Sequence, residues 1–192
     1  MGSRPSSFKA GGGYLTGEAR FAGYQFFVGK AGIATRGANK GKPFTPLSLE
    51  IAVRMEGADE DTTKRLLIGN ADDFGSVSKD GLTLNTPAGQ AIGKNTEAGV
   101  FIESFCAPAN GEGFPEDRLS DDDTLVNFEP MIGSRIRIAN AVDAEKTARL
   151  GKEKGKDKDG NAKEYDRRTL RVTEVLELPT VKAGKASKTT TR

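Results

Sequence analysis

The clearest pattern in the chain is LSLEIAVRM, where Leu47, Leu49, Ile51, Val53 and Met55 interleave with Ser48, Glu50, Ala52 and Arg54. A period of two places one set on each face, so the segment predicts a strand with a buried side and a wet side. YQFFVGKAGIA predicts an earlier strand, with Tyr24, Phe26 and Val28 on one side and Gln25 and Phe27 on the other. Tyr14 to Phe21 makes a short lead-in. KRLLIG predicts a third strand, SRIRIANAV a fourth with Ile136 and Ile138 inward, and TLRVTEVLEL a fifth that Pro179 stops. Between the third and fourth, Asn95 or Thr96 caps a helix running to about Cys106, with Ala98, Phe101, Ile102 and Phe105 as its apolar stripe. A small hairpin is predicted around Asp80-Gly81.

Five strands with one helix between the third and the fourth is the element order of an OB-fold. The expected class is therefore mainly β: a five-stranded OB-like barrel over residues 14–179. A flexible arm at 1–13 precedes it, and a basic, disordered tail from Thr180 to Arg192 follows. Residues 146–168, EKTARLGKEKGKDKDGNAKEYDRR from Glu145 onward, hold many charges and few groups to bury. They predict a solvated hairpin or loop inside that domain.

Composition narrows the chemistry. The chain has no histidine and a single cysteine, Cys106, which rules out a disulfide framework and fits a reducing interior. Without histidine, zinc sites and Ser-His or Cys-His nucleophiles lose their usual members. AGQAIGKN, just ahead of the helix, has Ala88 and Asn95 where a phosphate loop needs Gly and Ser or Thr. DKDGNAKEYD has Ala162 where a calcium loop needs its turn glycine. Cys106 reads as a small core residue beside Phe105. No catalytic residues, metal or cofactor are nominated, and an enzyme is not expected. The apolar runs are too short to cross a bilayer, and the N-terminus lacks the apolar core of a signal peptide.

Lys and Arg total 29 against 27 Asp and Glu, so attraction to a polyanion requires charge sorted onto one surface. The first 44 residues hint at such sorting. Seven of the thirteen aromatic residues fall there, interleaved with Arg20, Lys30, Arg36, Lys40 and Lys42, and from Phe8 onward Glu18 is the one acid among them. Single strands need this pairing, since bases stack on rings for about 1–3 kcal/mol each while cations follow the phosphates. The candidate stacking residues are Phe27 and Phe44, with Tyr24 or Tyr165. The candidate phosphate contacts are Lys30, Arg36, Lys40, Lys42, Arg54, Arg135, Arg137, Arg167, Arg168 and Arg171. The competing use of the same rings is a hydrophobic core.

SLEIAVRMEGADED, LLIGNADDFGSVSKDGLTL, GVFIESFCAPANGEGFPEDRL, IGSRIRIANAV and YDRRTLRVTEVLELP together resemble the phage-encoded single-stranded DNA-binding proteins over roughly residues 20–179. The resemblance implies an OB-fold protein of the host cytoplasm that binds single-stranded DNA without catalysis during phage replication or recombination. Phage recombination or replication enzymes would be its partners, with homo-oligomers conceivable and no membrane role. The ending KAGKASKTTTR departs from the acidic tails by which bacterial single-strand binders recruit enzymes, and suggests an added phosphate contact instead. Two other functions fit the composition: a virion structural or decoration protein, whose ends thread between subunits, and a protein inhibitor of a host defence system.

Overall fold

In the computed structural model, which describes residues 15–35, 39–119, 124–141, 152–156, 159–166 and 168–180, the alternating segments become one antiparallel sheet. Its strands are β1 (Gly17–Val28), β2 (Pro46–Met55), β3 (Thr62–Asn70), β4 (Arg135–Ala141) and β5 (Thr169–Glu177), in the spatial order β5-β4-β1-β2-β3. The expected arm at 1–13, and the tail beyond Thr180, lie outside the described residues. Among the described residues, no helix is long and apolar enough to cross a membrane.

The lead-in expected at 14–21 belongs largely to β1, which is longer than the pattern suggested because a bulge interrupts its period. The pairing of β1 with β2 shifts between Phe21 and Gly23. Ala19 and Phe21 face inward before the shift, Tyr24 and Phe26 after it, and Glu18, Arg20, Gln25 and Phe27 take the other side. The extra residue switches parity, so both halves of an otherwise inconsistent pattern present apolar groups to one core. Leu47, Leu49, Ile51 and Val53 of β2 are buried as expected, and so are Ile136 and Ile138 of β4. Val28, expected inward, is exposed at the strand's end.

Helix α1 (Glu97–Cys106) starts where the cap was expected. The Thr96 hydroxyl accepts from the Gly99 amide at 3.0 Å and donates to the Gly93 carbonyl at 2.8 Å. That tight turn explains a glycine inside a helix: a Cβ at Gly99 would sit 2.0 Å from the Gly93 carbonyl oxygen. Ala98, Phe101 and Phe105 are buried as the stripe required, joined by Val100 and Ser104, while Ile102 is only partly buried. The rings of Phe21, Phe101, Phe105 and Phe114 form a cluster centred on Phe105, at centroid distances of 5.6, 5.9 and 6.0 Å from it. Tyr24, Phe26 and Phe128 form another cluster.

The sheet is not the closed barrel expected from the sequence. β3 and β5 stand at its two ends, unpaired with each other. The helix packs against both of these edge strands. Its side chains also take amides that closure would have used: Leu67 N–H of β3 donates to Glu97 Oε2 at 3.1 Å, and Val172 N–H of β5 donates to Ser104 Oγ at 2.9 Å. Covering an edge in this way removes a template for unwanted pairing.

Among the described residues, three two-stranded ribbons accompany the sheet and the helix. Gly32–Ile33 pairs with Pro43–Phe44 in the β1–β2 connection, and Leu84–Asn85 pairs with Leu125–Val126. Lys152–Lys156 pairs with Ala162–Asp166 between β4 and β5, where a charged hairpin was expected. The predicted turn at Asp80-Gly81 lies between the two residues of an isolated antiparallel bridge, Val77 and Leu84. The Asp80 carboxylate accepts from the Ser78 hydroxyl and the Leu82 amide.

Candidate nucleic-acid interface

Alternation carries polar side chains to the open face of the sheet, and strand register decides which of them meet. Arg20, Arg54, Arg65, Arg135 and Arg137 share this face with Glu18, Glu50, Asp61, Glu174 and Glu177. All of these arginines except Arg20 are matched rather than segregated. Glu18 accepts from Arg135 at 3.0 Å and from Arg137 at 2.7 Å, and those two arginines also reach Glu177 (2.6 Å) and Glu174. Arg54 pairs with Asp61 at 2.8 Å. Arg65 pairs with Glu50 at 2.6 Å and lays its guanidinium over the Phe27 ring, 4.0 Å from the centroid. Apart from Arg20, the sheet face is therefore an array of ion pairs, not the cationic track suggested by reading its arginines alone.

The two guanidiniums that grip Glu18, Arg137 first and Arg135 second, hold its carboxyl below the ordinary value of 4.5. A carboxyl with a lowered folded-state pKa stabilises the fold above its unfolded value, and the benefit disappears as the pH drops through the folded value. Glu18→Gln is therefore expected to lower the melting temperature at pH 7 and to flatten its dependence on pH between about pH 5 and pH 3. Melting curves of both proteins at pH 7, 4 and 3 check this. Parallel losses on acidification would show that Glu18 does not contribute.

The rings expected to stack have mixed fates. Tyr24 is buried at 7% exposure, and its hydroxyl donates to the Leu82 carbonyl at 2.7 Å and meets Asn127 Oδ1 at 2.9 Å. Sharing a face with Phe26 makes it a core residue, so, contrary to expectation, its ring is not open to a base. Phe27 lies on the outer face as its parity required, half-buried beneath Arg65. Phe44 is half-buried in the short ribbon of the β1–β2 connection, across from Gly32 and beside the exposed Ile33. Tyr165 lies opposite Glu153 in the ribbon between β4 and β5, and its side chain is outside what is described.

The cations divide in the same way. Arg54, Arg135 and Arg137 sit in the ion-pair array, Arg171 is half-buried opposite Ala139 on β5, and Arg168 is exposed just before that strand. Arg36 and Arg167 lie outside the described residues. Lys30, Lys40 and Lys42 are exposed on the β1–β2 connection, a segment with no acid from Gly29 to Thr45. This is where charge is sorted. Arg20 and Arg65 belong to the sheet face without being among the phosphate contacts that the sequence suggests. Arg20 lies ahead of the bulge, where the parity of Tyr24 and Phe26 assigns it to the wrong face. Arg65 lay in plain alternation with Leu66, and that was the available signal.

No family model, curated protein or solved structure matches the chain.

Proposed function

We propose that the protein binds single-stranded nucleic acid, single-stranded DNA in the first instance, through the connection between β1 and β2. The observation that carries this reading is the acid-free segment from Gly29 to Thr45. There Lys30, Lys40 and Lys42 are exposed around a ribbon that offers Phe44 and Ile33 as apolar surface. Cations that follow phosphates beside a ring that accepts a base are the two chemistries a single strand requires.

The fold lends support. The order β5-β4-β1-β2-β3, with a helix after β3 lying against both edge strands, fits an OB-like barrel left open between β3 and β5. In OB-folds oligonucleotides lie over strands 2 and 3 and against the connections after strands 1 and 4. Here those connections are the lysine segment and the ribbon of Lys152–Lys156 with Ala162–Asp166. The ion-paired arginines of the sheet face supply less than their number suggests, because each must exchange a carboxylate for a phosphate. The reading is therefore of modest, salt-sensitive binding centred on the lysine connection, without chemistry, in the service of phage replication or recombination.

Fluorescence anisotropy of a labelled oligo-dT at two salt concentrations tests it. Affinity is expected to fall by about 0.7 log units per log unit of salt for each phosphate engaged. Three lysines then give a slope near two. A titration that does not saturate at low salt would remove the proposal.

A further inference from the structure

The strand register lines up three arginines side by side on the open face. Arg135 of β4 stands directly opposite Arg20 of β1, and Arg20 stands directly opposite Arg54 of β2. Directly opposed residues of antiparallel strands have Cβ atoms about 4.5–5.5 Å apart, and like charges there repel. The outer two are compensated, Arg135 by Glu18 and Glu177 and Arg54 by Asp61. The central one is not. Among the described residues Arg20 meets no carboxylate, and its guanidinium donates to the Gly133 carbonyl at 2.9 Å. That bond occupies one of five N–H groups and does nothing to cancel the charge.

Beside this row lies a cavity of about 340 Å³, lined by all three arginines together with Glu18, Met55 and Glu56. Of the two acids in the lining, Glu18 is already engaged by Arg135 and Arg137, and Glu56 forms no ion pair with Arg20, so no carboxylate of the described residues stands within salt-bridge distance of the central guanidinium. Guanidinium forks approaching from three strands suit an anion with several oxygens pointing in different directions. A carboxylate has two coplanar oxygens and is already supplied to the outer arginines by the protein itself. A phosphate group has three or four, in a tetrahedron, and arginine binds it through paired hydrogen bonds. We propose that this cavity binds a phosphate group, with Arg20 as its central ligand and Arg54 and Arg135 at its sides.

The phosphate has two conceivable sources, a nucleic-acid strand or a free phosphorylated molecule, and the pocket stands apart from the lysine connection. Inorganic phosphate is the first probe. Against chloride at matched ionic strength, phosphate at ten times its Kd is expected to raise the melting temperature by about 3–6 °C. Arg20→Ala and Arg20→Gln should both abolish that rise while keeping the wild-type circular dichroism, since each removes one of three mutually repelling charges. No rise in the unaltered protein, or an equal rise in the Arg20 variants, would overturn the pocket. Oligo-dT binding to Arg20→Ala then identifies the source. Weakened binding means that the strand provides the phosphate, and unchanged binding with the inorganic response lost means that a free phosphorylated molecule does. A Lys30, Lys40 and Lys42 variant that loses oligo-dT but keeps the phosphate response separates this site from the proposed function.

Discussion

Replacing Lys30, Lys40 and Lys42 together with glutamate is expected to reduce affinity for oligo-dT at least a hundredfold at 0.1 M salt, with the fold unchanged. Each phosphate contact on a single strand contributes about 0.7 log units at 0.1 M relative to 1 M salt through release of counterions, so three contribute about two log units. Reversing the charge adds repulsion to that loss. The fold should survive because all three side chains are exposed on the β1–β2 connection and none belongs to the core. The result is informative because the sheet face offers a direct control. The paired change of Arg137 and Glu174 to glutamine removes one cation and one acid from the ion-pair array, and it should alter affinity far less. If the two variants weaken binding equally, the strand follows the sheet arginines and the lysine connection is only a linker.

The largest expected effect on stability comes from Phe105. Its ring is fully buried and touches those of Phe21, Phe101 and Phe114. Phe105→Ala is expected to cost about 3–5 kcal/mol, from lost transfer energy and from a cavity that three neighbouring rings cannot fill. For a chain of this size that is a fall in melting temperature of roughly 6–20 °C. The consequence reaches beyond the core. Phe105 presses α1 against the sheet, and α1 supplies Glu97 and Ser104 to the amides of Leu67 and Val172 on the two edges. A loosened helix would uncover those edges, so the variant should also aggregate on heating. Thermal melts followed by light scattering measure both effects, and a shift under 3 °C would show that the helix is held by other contacts.

Much of this fold was legible because it is written in short-range periods. The alternation around Ile51, the flanks of Ile136 and Ile138, and the Thr96 cap depend on residues within a few positions of one another, and each leads to the element it implies. The aromatic concentration before residue 45 was ambiguous, and burial divides it. Phe21, Tyr24 and Phe26 serve the core, Phe27 is covered by Arg65, and Phe44 keeps a partly open ring. The sheet arginines were misleading when read singly. Alternation places Arg135 and Arg137 outward correctly, yet it cannot show that Glu18 waits within reach of both, 117 and 119 residues away in the chain.

From the order of its residues alone, this chain determined the five strands of its main sheet, the start of helix α1 and the acid-free lysine segment, since periodicity, capping and composition are local properties. Tertiary structure alone decided that the sheet stays open, that a bulge switches parity inside β1, and that most exposed arginines are already matched. Pairing between strands joins residues distant in the sequence, and electrostatic energy depends on distances that only the folded register sets.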